Sequence, residues 1–442
     1  MLQLFDALSK KNIKLIDKKN INIYMCGPTV YDYIHIGNAR PIFLADFILR
    51  YLELVDIKYN FLINVTDIDD KIIKRALDEN VSENIISEKF TKYFINDLNS
   101  LKVIKPNNII KVTDHVPEII EFIQQLINKG AAYTNDGNVY FNIKNFEKEY
   151  GRLSNQTLNM LIPGNKNEGL NQKTNILDFA LWKNTKEGIK YKSPWGYGRP
   201  GWHTECSVFN DLYFNDTIDI HIGGIDLKFP HNENERIQFY AKNNIELSRI
   251  WVYNGHLSVN GFKMSKSLNN TLTIQDFILE YGVETLRFLF FNTNYKSPLN
   301  ISKDVIDASK KWIEKHEKLI KTLNWKVYLE EVVSEGCTSD KIGLWNSKII
   351  NYFEDDLNLP MIVTIIDEVY KSINYNLKIG KINKNVLNFY KNILKKLGFC
   401  SKIKELVKED KNLLSIWKQA LKDKNYSEAD RIRNILIDKG IF

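Results

Sequence analysis

Cys26-Gly27-Pro28-Thr29-Val30-Tyr31-Asp32-Tyr33-Ile34-His35-Ile36-Gly37-Asn38-Ala39-Arg40 is the stretch that decides how the chain reads. Ahead of it, Ile21 to Cys26 alternates apolar and polar residues and reads as a strand. After it, Ala39 to Glu53 has the period of a helix. A thiol therefore stands at a strand's end, and a His-x-Gly turn stands at a helix's start. Parallel α/β sheets bind ligands beyond the carboxyl ends of their strands. Free amides at a helix N-terminus hold anions. The stretch reads as a soft ligand beside a phosphate-sized cavity. Taken alone, it fits a buried cysteine and a surface histidine equally well.

Working outward, Tyr59 to Val65 is rich in Phe, Ile and Val and reads as a second buried strand. With the helix between, it makes a βαβ unit and predicts a parallel sheet. Asp69 and Asp70 follow, where a helix N-terminus favours negative charge. Helical periodicity covers Asp70 to Leu77 and Glu83 to Leu98. From about Lys111 the pattern changes and reads as an insertion. It has a helix over Val116 to Lys129 closed by Gly130, a strand over Val139 to Ile143, and a loop over Asn155 to Thr174.

The turn cluster Ser193 to Gly201 delivers Trp202-His203-Thr204-Glu205-Cys206-Ser207. A strand over Thr217 to Ile222 runs into Gly223-Gly224-Ile225-Asp226. Glycines there permit close approach to a nucleotide, and a carboxylate can accept from ribose hydroxyls. Pro230 sits at a helix start, and Trp251 to Val259 holds another strand pattern. Gly261 to Ser267 reads as a mobile basic loop. Beyond Ile301, helices over Lys303 to Leu323, Lys341 to Glu354, Met361 to Asn374, Lys384 to Leu397 and Ser427 to Asp438 predict a bundle.

A chain of 442 residues is too long for one core. No apolar run reaches the roughly 18 residues of a membrane span. Met1 to Lys11 lacks the order of a signal peptide. The cysteines Cys26, Cys206, Cys337 and Cys400 are too scattered for a disulfide framework, and a reducing cytoplasm is expected. Net charge is +7, and from Ile301 onward 26 Lys+Arg face 20 Asp+Glu, so +6 of it lies there. Between Lys371 and Lys404 there are nine lysines and no acid, a face suited to phosphates. On charge alone, a solvated lysine-rich surface reads as well.

His231 and Glu235 are four apart on an expected helix and share a face. With two isolated thiols elsewhere they make a possible zinc set. No CxxC spacing exists, so by spacing alone Cys26 and Cys206 read as core cysteines. Lys263 and Lys266 flank small polar residues, and lysines on such a loop can swing onto nucleotide phosphates. A solvated basic turn accounts for those two lysines taken alone.

Together these segments resemble cysteinyl-tRNA synthetases, of the class I aminoacyl-tRNA synthetases. The carriers are CGPTVYDYIHIGNAR (Cys26 to Arg40), NVTDIDDKI (Asn64 to Ile72), GRPGWHTECS (Gly198 to Ser207), DIHIGGIDLKFPHNENE (Asp219 to Glu235) and KMSKS (Lys263 to Ser267). The resemblance runs along nearly the whole chain. It implies an α/β fold: a class I Rossmann-like parallel-sheet catalytic core with an insertion, then an α-helical bundle for anticodon binding. It implies core halves at 1–110 and 199–262, an insertion at 111–198, and a loop and stem-contact region at 263–300. The bundle is expected at 301–400 and a small helical region at 401–442.

The activity implied is cysteine–tRNA ligation through a cysteinyl-adenylate. The ligands implied are L-cysteine, ATP with Mg2+, and tRNA(Cys), acting on a cytoplasmic monomer without membrane contact. One zinc ion is implied, held by Cys26, Cys206, His231 and Glu235 and binding the substrate thiolate. Gly27, Thr66 and Trp202 match positions lining the amino-acid pocket. His35, Gly37, Asn38, Gly224, Asp226 and Lys266 match the ATP site, with His35, Asn38, Lys263 and Lys266 as the catalytic positions. Asn38 stands where the signature usually ends in His, and Asn232 replaces a second His often seen beside the zinc-ligand histidine. Two relatives compete: a ligase joining cysteine to an amino-sugar, and a non-catalytic tRNA-binding protein. The first lacks a long helical C-terminal region, and the second has no need of intact lysines and zinc ligands.

Overall fold

The computed structural model describes residues 1–16, 18–157, 173–263, 272–329, 339–380, 384–400 and 405–442. Its contacts divide the chain into two units, Met1–Leu279 with Tyr295–Asn300, and Glu280–Asn294 with Ile301–Phe442.

The first unit opens with a hairpin, β1 (Gln3–Asp6) and β2 (Lys11–Lys14). Then come β3 (Asn20–Met25), α1 (Ile36–Leu54), β4 (Lys58–Val65), α2 (Asp70–Glu79), α3 (Glu83–Ser100) and β5 (Asn108–Lys111). After α4 (Val116–Asn128), the strands β6 (Ala132–Asn135), β7 (Asn138–Phe141), β8 (Phe179–Asn184), β9 (Tyr191–Ser193) and β10 (Gly196–Pro200) follow. The unit continues with α5 (Thr204–Phe214), β11 (Ile218–Gly224), α6 (Glu233–Asn243), β12 (Ser248–Asn254), β13 (Leu257–Val259) and β14 (Phe262–Lys263).

The α/β expectation holds. Five strands form one parallel sheet in the order β12-β11-β3-β4-β5. β11 is buried along its whole length, as a central strand covered on both faces must be. From β3 the order steps through β4 to β5 in one direction, and through β11 to β12 in the other. The carboxyl ends of β3 and β11 therefore flank a topological switch point, where doubly wound sheets bind ligands. Cys26 follows β3 there, and Asp226 follows β11. The edge strand β12 is covered by the hairpin. Ala7 N donates to the Trp251 carbonyl at 3.0 Å, and Asp6 Oδ1 accepts from Trp251 N at 2.9 Å.

Helix α1 starts three residues before the expected Ala39. Its cap is His35, whose Nδ1 accepts from Gly37 N at 3.1 Å, while Asn38 Oδ1 accepts from His35 N at 3.1 Å. Histidine is not among the preferred caps, so propensity does not mark the start. Pro41 lies inside the helix and withholds the amide that would bond the Gly37 carbonyl. The inserted strands β6 to β10 form an antiparallel sheet in the order β6-β7-β8-β10-β9. The sequence reading found only the second of them, because strands of three to six residues show little periodicity. Most of the expected Asn155 to Thr174 loop lies outside the described residues.

The second unit is helical: α7 (Val283–Phe291), α8 (Lys303–Tyr328), α9 (Ser339–Glu354), α10 (Leu359–Lys378), α11 (Lys384–Lys396), α12 (Lys408–Lys422) and α13 (Tyr426–Asp438). Ile362, Val363, Ile366, Val369 and Ile373 form the buried stripe of α10. Buried His316 bonds Tyr390 OH through Nδ1 and sits 3.0 Å from Asp367 Oδ1 through Nε2, tying α8, α10 and α11 together. Trp325, Trp417 and Phe442 pack edge to face at 4.9–5.8 Å beside the α12–α13 hairpin. Of the nine lysines from Lys371 to Lys404, Lys371, Lys378, Lys384, Lys395 and Lys396 are exposed, whereas Lys391 bonds Asn324 Oδ1. Lys381, Lys402 and Lys404 lie outside the described residues, as does Cys337. Cys400 is half-buried, and its backbone N donates to Glu284 Oε2 at 2.7 Å.

Candidate active site

Two sulfurs, an imidazole and a carboxylate meet at the switch point. Cys26, Cys206, His231 and Glu235 each offer one donor atom, and these all lie within 4.8 Å of one another. Cys26 Sγ is 3.8 Å from Cys206 Sγ and donates to Glu235 Oε1 at 3.1 Å. His231 Nε2 lies 2.6 Å from the same Oε1 and 3.6 Å from Cys206 Sγ. Cys26 is set by the end of β3 and Cys206 by the first turn of α5. His231 lies in the irregular turn Lys228–Asn232 rather than on a helix, one turn ahead of Glu235 in α6. The spacing of four still brings the pair together. All four residues are buried.

Around them stands a layer of polar groups. His221 Nε2 lies 2.9 Å from Glu235 Oε2, and the imidazole stacks on Trp251 at 4.2 Å. His203 Nδ1 lies 3.0 Å from His231 Nδ1. Asn232 Nδ2 donates to Cys26 Sγ at 3.4 Å and to Glu235 Oε1 at 3.2 Å. Sequence reasoning named Asn232 but assigned no role to either histidine. A signal existed for His221, a polar residue between Ile220 and Ile222 in the strand expected over Thr217 to Ile222.

Burial pushes the Cys26 thiol up to about 12 and the Cys206 thiol well above its usual range. Burial also pushes the Glu235 carboxyl up, but His231 and His221 outweigh it and hold it far below the usual range. His231 is raised in spite of burial, first by Glu235 and then by Cys206. A cation at this point reverses the position of both thiols, because a coordinating thiol is deprotonated outright. Two sulfurs, one nitrogen and one carboxylate oxygen form a donor set that zinc takes.

The cluster opens into a cleft of about 360 Å³. Cys26, Gly27, Thr66, Trp202 and His231 are among the residues that line it. His35, Gly37, Asn38, Gly224 and Asp226 line the same cleft. Gly27 has no substitute: a Cβ there would stand 1.6 Å from the Asn64 carbonyl oxygen. Its N–H donates to Asn64 Oδ1 at 2.8 Å, and Asn64 Nδ2 in turn donates to Thr66 Oγ1 at 3.2 Å. The Trp202 ring lies 4.9 Å from His231 and is 37% exposed. Lys71 was not anticipated; its Nζ stands 5.3 Å from the Tyr31 ring and 5.9 Å from that of Trp202.

Lys266 lies outside the described residues, as does the side chain of Lys263. Both flanks of that segment are placed. Lys263 pairs with Ser258, and Leu272 O accepts from Ile36 N at 3.0 Å.

The model of the tRNA synthetases class I (C) catalytic domain matches residues 12–311. The cysteine–tRNA ligase of Mycoplasma mycoides is 47% identical over all of both chains. The chain belongs to the cysteinyl-tRNA synthetase family. The cysteine–tRNA ligase of Methanococcus vannielii is 40% identical to the synthetase, over 100% of this chain and 96% of that one. A Mycobacterium tuberculosis methionyl-tRNA synthetase in complex with methionyl-adenylate shares the fold. Its TM-score is 0.64 at 14% identity, covering 86% of this chain and 89% of that one.

Arg40, the last residue of the opening stretch, braces the cleft of the synthetase. It is buried, and it donates to the carbonyls of Gly255 at 2.7 Å, His256 at 2.9 Å and Ser297 at 2.6 Å. Arg40→Leu strands those carbonyls. Unfolding in urea is expected to show a loss of about 3 kcal/mol or more, at 1–3 kcal/mol for each unsatisfied group.

Among the described residues, no helix is long and apolar enough to cross a membrane.

Proposed function

We propose that this chain activates L-cysteine with ATP and transfers it to the 3′ end of tRNA(Cys). The observation that carries the reading is the buried Cys26–Cys206–His231–Glu235 cluster, opening into the same cleft as the helix N-terminus at His35. Its four residues would hold zinc. When bound, the metal supplies a site that accepts a thiolate and takes a hydroxyl poorly. A bond that serine cannot form discriminates by roughly 10⁴ or more without editing.

Two displacements follow. The cysteine carboxylate attacks the α-phosphorus of ATP, and the bond to pyrophosphate breaks. A terminal ribose hydroxyl of the tRNA then attacks the acyl carbon, and AMP leaves. No side chain serves as nucleophile, so the residues work by position and charge. Gly27 and Thr66 flank the amino acid, and Trp202 covers it. At the start of α1, whose first-turn amides are already bonded within the protein, the His35 and Asn38 side chains and the positive end of the helix dipole meet the phosphates. Gly224 gives the nucleotide close approach, and Asp226 accepts from its ribose. Lys263 and Lys266 meet the phosphate charge, and Mg2+ arrives with ATP.

Cysteine-dependent ATP–pyrophosphate exchange tests the first step, and its absence overturns the reading. Charging of tRNA(Cys) separates this activity from transfer to an amino-sugar, and exchange itself excludes a non-catalytic RNA binder.

The lysines of the helical unit are proposed to meet tRNA phosphates. Changing Lys371, Lys384, Lys395 and Lys396 to Glu should weaken tRNA binding and leave pyrophosphate exchange intact. The log–log salt slope should fall by up to about 3, at nearly one per phosphate contact. An unchanged affinity and slope would mark a merely solvated surface.

A further inference from the structure

We propose that His221 and His203, neither of them in the ligand set, are positioning residues that decide which donor atoms the cluster presents to its metal. The proposal rests on the reading of the cluster as a zinc site.

Each histidine holds one ligand on the atom that must not face the metal, and His221 Nε2 also lies 3.8 Å from Cys26 Sγ. Glu235 has two oxygens. Oε1 lies among the other donors, 2.6 Å from His231 Nε2 and 3.1 Å from Cys26 Sγ. Oε2 is held 2.9 Å from His221 Nε2. An N–H there reserves the second oxygen, so the carboxylate offers a single donor. A carboxylate that offered both would occupy coordination space an incoming sulfur needs.

His231 has two nitrogens. Nε2 lies among the donors, and Nδ1 lies 3.0 Å from His203 Nδ1. Of two ring nitrogens in that contact, one carries the proton and the other accepts it. With the His231 proton on Nδ1, its lone pair is on Nε2, as a metal requires. His203 Nδ1 is then the acceptor. Metal-bound histidines usually hand their second N–H to such a partner, and losing it costs about 10–100-fold in metal affinity.

Both imidazoles also fill space. His221 stacks on Trp251 at 4.2 Å and 28°, and His203 lies 5.0 Å from Trp202. Paired substitutions separate bonding from packing. His221→Phe and His203→Phe keep a ring and lose the nitrogen. His221→Gln keeps an N–H near the position of Nε2, and His203→Asn keeps an acceptor near that of Nδ1.

The experiment is chelator competition for zinc on the full-length chain, with the absorption spectrum of the Co2+-substituted protein. The Phe variants should bind zinc about 10–100-fold more weakly and shift the Co2+ bands. The Gln and Asn variants should stay within a few-fold of wild type. In pyrophosphate exchange the KM for cysteine should rise in the Phe variants and that for ATP should not. Phe variants that bind zinc like wild type overturn the proposal. So do Gln and Asn variants as weak as their Phe counterparts, or equal losses of melting temperature in all four metal-free variants. A wild-type chain that takes up no zinc instead overturns the reading of the cluster itself.

Discussion

Cys206→Ser is expected to lose its zinc and, with it, most of its cysteine affinity, while ATP binding stays near that of the parent. Cys206 Sγ lies among the donors, 3.8 Å from Cys26 Sγ and 3.6 Å from His231 Nε2. A serine hydroxyl stays protonated at neutral pH and is a poor partner for zinc. Removing a ligand should cost more than the 10–100-fold loss typical of an outer partner. Serine is slightly smaller than cysteine, so the fold should survive. The residues proposed to meet ATP, His35 to Asn38, Gly224 and Asp226, include none of the four donors, so ATP binding should not change. Metal analysis with calorimetric titration of cysteine and of ATP measures all three. Full zinc retention with unchanged cysteine affinity would remove Cys206 from the ligand set.

The core was legible where elements are long or continuously apolar. Tyr59 to Val65 announced β4, and the period from Ala39 announced α1. The N-terminal hairpin, β5 and most of the inserted sheet were not, since their strands are short and their partners distant in sequence. Helix α12 escaped as well; only two of its residues, Leu414 and Ala420, are buried, too few to show a stripe. The proposed metal donors lie as far apart as Cys26 and Glu235, and local spacing joins only His231 to Glu235. The resemblance singled them out, and folding brought them within 4.8 Å of one another. The orienting histidines lay outside that set. His203 stands three residues before Cys206 and one after Trp202, where nothing in the sequence says that its Nδ1 meets His231.

Lys266→Ala should slow cysteine-dependent pyrophosphate exchange by roughly 30- to 1000-fold and leave cysteine affinity nearly unchanged. The reason is when the charge appears. As the bond between the α- and β-phosphates breaks, negative charge grows on the departing pyrophosphate, and a lysine there helps the transition state more than the ground state. Loss of one such contact costs on the order of 2–4 kcal/mol of barrier, which is that fold-change. The placed flanks of the segment agree with a phosphate role. On one side Lys263 pairs with Ser258, next to Leu257 of the cleft lining. On the other, Thr273 bridges to His35, and Leu272 O accepts from Ile36 N at the start of α1. A lysine that acts on the charge of the leaving group contributes nothing to the metal or to the bound thiol. Lys266→Ala should therefore leave zinc content and cysteine titration as they were, whereas Cys206→Ser should change both. Lys266→Arg keeps the charge and should recover part of the rate. An alanine variant that exchanges pyrophosphate at the parental rate would remove Lys266 from the mechanism. One that lost cysteine affinity and rate together would show that the lysine acts on substrate binding and not on the charge of the leaving group.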